Sequence, residues 1–303
     1  MIKTARQLKD KVRNMTEGLP AASKSEKAQM LIRNFLMERL LERISVSKYK
    51  KNFILKGGML VASYTGLNAR ATKDIDTTIN ALDLNTEKMI SVLEEIIRID
   101  LDDNIVYELN GYENIMDDFD YPGIRYNINA KFDSIDLPLQ IDMSTDDVIT
   151  PAAVEYNYKL MLEERTIPLQ TYNLETLLAE KLQTIISRGE SNTRIRDFYD
   201  IYILNNQYAA NIDYDVLRSA FEATSKKRHT LDKSEEIYST LDYFASSKEG
   251  IALWNNFKRN RYYVGDTNWN DIIDSIRDLA GQVVIIEQEI SETEEEEMDI
   301  MMI

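Results

Sequence analysis

Residues 24–44, KSEKAQMLIRNFLMERLLERI, return apolar side chains at Met30, Leu31, Phe35, Leu36, Leu40 and Leu41. Those spacings gather them on one face, which predicts an amphipathic helix. FILKGG then reads as a short strand running into a glycine turn, and MLVASYTGL as a helix that stops near Gly66. KDIDTTIN alternates and carries β-branched residues, so it reads as a strand. Asn85-Thr86-Glu87 offers a helix start for MISVLEEIIRI. NIVYEL, GIRYNINAKF and LPLQIDMST suit antiparallel strands, with Pro138 expected at a strand beginning. Beyond Thr171 the period changes: NLETLLAEKLQTIISR, TRIRDFYDIYILNN, VLRSAFEATS and much of 234–260 read as helices.

The pattern predicts an α+β protein, a mixed sheet with flanking helices followed by a helical C-terminal domain. The expected units are N-terminal helices over 1–47, a sheet-bearing domain over 48–170, a helical domain over 171–286 and a disordered acidic tail over 287–303. No internal repeat is apparent.

Composition narrows the chemistry. The 303 residues are 44% hydrophobic and 29% charged, enough for a substantial core. No apolar run approaches the ~18–20 residues that cross a bilayer, and the charged start MIKTARQLKDKVRN is unlike a signal peptide. A cytoplasmic protein with no membrane association is expected. There are no cysteines, which removes disulfides, thiolate zinc sites and cysteine nucleophiles. The single histidine, His229, lies in the polar stretch SKKRHT and reads as a surface residue. Chemistry is left to carboxylates, lysines, arginines, hydroxyls and backbone, and any metal would be an oxygen-preferring ion such as Mg²⁺ or Mn²⁺.

The net charge of −16 argues at first against a nucleic-acid partner. Eight of the acids fall in 287–303, a segment without Lys or Arg. Basic clusters remain at Lys48, Lys50 and Lys51, at Lys226, Lys227 and Arg228, and at Lys258, Arg259 and Arg261. Each could follow a phosphate backbone or simply face water, so global charge does not decide the partner.

Asp74 and Asp76 flank Ile75 in the strand KDIDTTIN, so both carboxylates point to one face and repel. Gly57 and Gly58 precede them at a strand-to-helix turn, where free N–H groups can seat a phosphate. A third acid, Asp142, sits between Ile141 and Met143 on another expected strand. Singly, each acid reads as a solvated strand residue. Together, in this order, three carboxylates form an oxygen cage for divalent ions that clamp a triphosphate.

These residues resemble the DNA polymerase β-like nucleotidyltransferase superfamily: a Gly-Gly turn, an Asp-x-Asp strand and a later lone Asp. Fifteen residues lie between Gly58 and Asp74, a little longer than is usual in the superfamily. That length, with Arg70-x-Thr72-x-Asp74-x-Asp76 and the later TYNLETLLAEKLQTIISRGESNTRIRDFYDIYIL, resembles the AbiEii toxin branch over about residues 52–205. The resemblance implies a nucleotidyltransferase fold. It implies that Gly57 and Gly58 cradle phosphates beside Thr72, and that Asp74 and Asp76 hold metal, with Asp142 as the superfamily's third acid. It also implies phosphate contact by Lys181 and by Arg188, and a further essential acid at Asp197.

Read from the residues alone, Lys181 lies among the core-facing neighbours Leu177, Leu178, Leu182 and Ile185, so its ammonium must leave by an edge or meet a partner. Arg196 and Asp200, four apart, and Arg194 and Asp197, three apart, could pair along a helix.

The function implied is the toxin of a toxin–antitoxin pair in phage abortive infection. It would be a Mg²⁺- or Mn²⁺-dependent nucleotidyltransferase that binds a nucleoside triphosphate, with GTP a candidate. The acceptor implied is RNA, tRNA in particular, and a separately encoded antitoxin is the implied partner. Two alternatives stay open: a nucleotide-binding regulatory module without transfer activity, and a carboxylate-metal ribonuclease. Helical HEPN nucleases are excluded, because His229 lacks their upstream arginine.

Overall fold

Ten helices and seven strands are described in the computed structural model, which covers residues 1–82, 85–116 and 122–284. The acidic tail lies outside the described residues. Two helices open the chain, α1 (Ala5–Met15) and α2 (Ala21–Val46). Then follow β1 (Phe53–Lys56), α3 (Gly57–Thr65), β2 (Asp74–Ile79), α4 (Thr86–Ile97), β3 (Val106–Met116), β4 (Pro122–Phe132) and β5 (Ile135–Ser144). A hairpin of β6 (Val154–Lys159) and β7 (Thr166–Thr171) completes the sheet. The helical region runs α5 (Leu174–Arg188), α6 (Ile195–Tyr208), α7 (Tyr214–Lys227), α8 (Glu236–Ser246), α9 (Lys248–Arg259) and α10 (Trp269–Val283).

The sheet has the order β3-β4-β5-β2-β1-β7-β6. The pairs β2–β5 and β1–β7 are parallel, and the other adjacent pairs are antiparallel. Register is set by burial. Ile75 stands opposite Ile141, which stands opposite Tyr126, and all three are fully buried. With a side-chain period of two, the next row, Asp76–Asp142–Arg125, must take the other face. Helix α2 covers the apolar face: its Phe35 packs on Phe132, and the Tyr107 hydroxyl donates to the Leu36 carbonyl at 2.7 Å.

Local chemistry sets the ends of the elements. Gly66, at φ +81°, ends α3 in a conformation that L side chains avoid. Asn85 caps α4, and the Asn173 side chain caps α5 by accepting from Thr176 N at 2.7 Å.

Three differences from the patterning have physical causes. Segment 145–171 carries no clear strand signal, yet it supplies β6 and β7; β6 is an edge strand on which only Tyr158 is buried, and β7 contains Pro168. Helix α10 also goes unread in the sequence, although its apolar face is buried. Pro138 lies inside β5 rather than at its start. It is tolerated because β2 begins to pair with β5 only at Gln140, leaving that side of the strand open at Pro138.

Beneath the sheet, charged groups are buried in helix α2. Arg43 makes a two-pronged pair with Asp103 at 2.8 and 2.9 Å. Glu38, at 1% exposure, accepts from Met161 N at 3.0 Å and from the Tyr158 hydroxyl at 3.3 Å. Burial pushes its carboxyl up to about 7. Its folded pKa lies above the unfolded value, so its contribution is fully present below about 4.5 and lost as pH rises through about 7. Glu38→Gln should therefore raise stability at pH 8 by about 1–3 kcal/mol and give no gain at pH 4.5. Urea melts of both proteins at the two pH values check this; an equal difference at both would refute the assignment.

Candidate active site

Asp76 lies in one row across the sheet, with Lys56 opposite it on β1, Asp142 on β5, and Arg125 beyond Asp142 on β4. Two carboxylates thus sit between two cations on neighbouring strands. Asp74, two residues before Asp76, adds the third acid. One oxygen from each of Asp74, Asp76 and Asp142 lies within 4.8 Å of the others.

The turn before α3 closes on this cluster. Gly58 N–H donates to Asp76 Oδ2 at 3.2 Å, so Asp76 is the anion at the helix start. A Cβ on Gly57 would lie 2.1 Å from that same oxygen, and Gly57 sits at φ +61°. A Cβ on Gly58 would fall 2.8 Å from Thr72 Oγ1. Both glycines are therefore required by close approach, with the carboxylate and Thr72 as their neighbours. The Thr72 hydroxyl in turn donates to Asp74 Oδ1 at 2.6 Å.

Burial together with repulsion from Asp74 and Asp142 pushes the Asp76 carboxyl up to about 6, against the opposing pull of Arg196 and the Gly58 N–H. Asp142 is bound two-pronged by Arg125, Nε to Oδ1 at 2.7 Å and Nη2 to Oδ2 at 2.8 Å.

A second charged network backs the cleft. Lys181 donates to Asp200 at 2.7 Å and to Asp197 at 3.2 Å. Arg70 grips Asp200, and Arg194 donates to Asp197 at 2.6 Å. Burial alone would raise both aspartates, yet Lys181 and Arg194 hold Asp197, and Arg70 and Lys181 hold Asp200, below the usual carboxylate range. Lys181 meets partners instead of leaving by the helix edge. The Arg194–Asp197 pair forms at spacing three, but fully buried Asp200 turns to Arg70 and Lys181, while Arg196 is exposed and lines the cleft.

The cleft between these groups has a volume of about 280 Å³. All nine residues singled out in the sequence face it or frame it: Gly57, Gly58, Thr72, Asp74, Asp76, Asp142, Lys181, Arg188 and Asp197. It also includes Lys56, Asp147 and Glu180, which the sequence left unmarked, and Arg228 from one of the basic clusters. Lys56 donates to Asp147 at 2.7 Å, and Arg228 donates to Glu180 at 2.6 Å; all four line the cleft. The alternation of GIRYNINAKF did carry a signal for Arg125, since Ile124, Tyr126 and Ile128 claim the other face. His229 is exposed, as the sequence implied.

Three hard oxygen donors that repel one another suit a divalent cation of the Mg²⁺ or Mn²⁺ kind, which would relieve the strain recorded in Asp76. Among the described residues, no helix is long and apolar enough to cross a membrane.

Comparison with known proteins gives one family. A family model described as nucleotidyl transferase AbiEii toxin, type IV TA system, matches residues 39–275. No curated protein matches the chain. Among solved structures, a candidate nucleotidyltransferase from H. pylori is similar with a TM-score of 0.52 at 14% identity, over 84% of this chain and 93% of that one. JHP933 from Helicobacter pylori is similar with a TM-score of 0.49 at 16% identity, over 90% of this chain and 98% of that one. At such identity, the first likeness speaks to the fold alone. It agrees with the mixed sheet, flanking helices and helical C-terminal region expected from the sequence.

Asp76→Asn removes one charge from the cluster while keeping an acceptor for Gly58 N–H. The raised pKa means that Asp76 contributes fully below about 3.8 and that this is lost as pH rises through about 6. The variant should gain about 1–2 kcal/mol over wild type at pH 8 and nothing near pH 4. Thermal or urea unfolding without added metal checks the difference, and a loss of stability at pH 8 would contradict it.

Proposed function

This chain belongs to the AbiEii family of nucleotidyl transferase toxins of type IV toxin–antitoxin systems, and from that premise we propose that its cleft transfers a nucleotide from a nucleoside triphosphate to an RNA acceptor. The observation that carries the reading is the convergence of Asp74, Asp76 and Asp142 within 4.8 Å, in a cleft whose wall holds Lys181, Arg194 and Arg196. GTP is the candidate donor and tRNA the candidate acceptor. A separately encoded antitoxin is the regulatory partner, phage defence is the setting and the cytoplasm is the compartment.

Asp74 and Asp76 would hold Mg²⁺, with Asp142 the third candidate ligand. Bound there, the ion would supply charge neutralisation at the phosphates. The residues of the chain do the rest. Lys181 spends two of its three N–H donors on Asp197 and Asp200, and the third would serve a phosphate. Asp197 would position that ammonium, and Lys181 together with Arg194 keeps Asp197 ionised. Arg188 and Arg196 line the same cleft and offer guanidinium forks to the remaining phosphate oxygens. Gly57 and Gly58 let Asp76 and Thr72 approach the start of α3 closely, and Thr72 orients Asp74 through its 2.6 Å hydrogen bond. The acceptor hydroxyl attacks the α-phosphate in line, its proton passing to a carboxylate of the cluster as pyrophosphate departs.

Purified protein incubated with Mg²⁺, each α-labelled nucleoside triphosphate and cellular RNA should label RNA at its 3′ end. Asp74→Ala should reduce this at least about 10³-fold, on the scale expected for loss of electrostatic stabilisation. Sequencing of RNA ends separates added nucleotides from cleavage. Shortened ends would favour the ribonuclease reading, and binding of nucleotide without transfer to any acceptor would favour the regulatory one.

A further inference from the structure

The three acids of the cluster are not held alike. Asp74 accepts from the neutral Thr72 hydroxyl, and Asp76 accepts from the neutral Gly58 N–H. Asp142 has both oxygens on the guanidinium of Arg125. We propose that Arg125 is a built-in counter-ion that keeps Asp142 out of the coordination sphere of the free protein, so that a resident divalent cation rests on Asp74 and Asp76 until an anionic substrate draws Arg125 away. This rests on the metal-binding reading above.

The placement follows from the sheet. Arg125 and Asp142 are directly opposed on antiparallel β4 and β5, at the end of the row that begins with Lys56 and Asp76. Opposed residues share a face and lie within side-chain reach, so the pair forms without any loop movement. A planar fork on both oxygens takes two of the roughly four acceptor directions of a carboxylate, and these compete with a cation for its charge. The pair is sheltered but not sealed: the Arg125 side chain is 27% exposed and that of Asp142 is 18% exposed. Both line the cleft.

Arg125 also has somewhere to go. Glu113, opposed to it on β3, lies 3.8 Å from Nη1 on the outer side and is itself 57% exposed. The same fork fits a phosphate as well as a carboxylate, so a triphosphate in the cleft offers Arg125 a competing anion. Loss of the pair frees Asp142 to join the cation. The ligand set would thus be two carboxylates before nucleotide arrives and three after it.

Mn²⁺ alone, titrated into the nucleotide-free full chain and followed by electron paramagnetic resonance, tests this. Wild type should bind Mn²⁺, and Asp74→Asn should abolish it. Asp142→Asn should leave the affinity within about twofold of wild type, since Asp142 is already neutralised, whereas Arg125→Gln should tighten it about tenfold by adding a ligand charge. Adding Asp142→Asn to Arg125→Gln should cancel the gain, and Arg125→Lys should fall between. Equal Mn²⁺ affinity in wild type and Arg125→Gln overturns the proposal, as does Asp142→Asn weakening binding as much as Asp74→Asn. The Asp142→Asn arm does so even if the Arg125 variants fail to fold. In both cases the metal reading survives. Absence of any Mn²⁺ binding that Asp74→Asn removes would instead refute the metal reading, and this proposal with it.

Discussion

Three carboxylates crowded within 4.8 Å on neighbouring strands form the constraint around which the rest of this fold is arranged. Their mutual repulsion opposes folding, and the chain cannot avoid it by shifting register. Ile75 and Ile141 are fully buried on the opposite face, and a slip of one residue would expose them while burying Asp76 and Asp142. The apolar core thus forces the acids together. What offsets the repulsion is local and can be named: an N–H at the start of α3, the Thr72 hydroxyl, the Arg125 fork and the field of Arg196. Burial, and then repulsion from Asp74 and Asp142, still leave Asp76 with a raised pKa, so the compensation is incomplete. An unrelieved charge cluster of oxygen donors in a cleft could hold a cation.

The same logic explains the second network. Arg70 leaves the loop between α3 and β2, Lys181 rises from α5, and Asp197 and Asp200 project from α6. Removing Asp200 would take from buried Arg70 its carboxylate partner, a loss of about 3–5 kcal/mol. The network therefore fixes the helical region against the sheet and fixes Lys181 in the cleft. Stability and site geometry are one set of contacts here, because the groups that hold α5 and α6 in place also hold the ammonium.

Much of this could be read from the chain. Asp74, Asp76 and Asp142 stand on strands where alternation assigns them a common polar face, and the Gly-Gly turn marks the start of α3. The glycines show the limit of such reading: spacing says that a side chain is absent, while the structure says that Asp76 and Thr72 fill the space. Asp200 shows another limit. Its spacing from Arg196 advertises a surface pair, but the partners that claim it are Arg70, from 130 residues earlier, and Lys181. Helix periodicity records neighbours on one helix and is silent about what another element brings. The β6–β7 hairpin was hidden for a related reason, since an edge strand with one buried residue carries almost no alternation.

The two networks divide the cations of the cleft by what each would forfeit on meeting a phosphate. Lys56 is tied to Asp147, and Arg70 to Asp200, in pairs where each side chain is at most 13% exposed. Pulling either away would cost a carboxylate one of its cationic partners in a dry setting. Arg196 is exposed, and Arg125 is partly so, with Glu113 beyond it as a second acid. Exchange of partner is cheap only where water or another acid can take up the charge left behind. On the proposed function, substrate recognition would fall to the rim guanidiniums and to the remaining donor of Lys181, while the buried cations maintain the frame. Asp142 stands on the boundary between the two groups: its row on the sheet belongs to the frame, and its partner belongs to the rim.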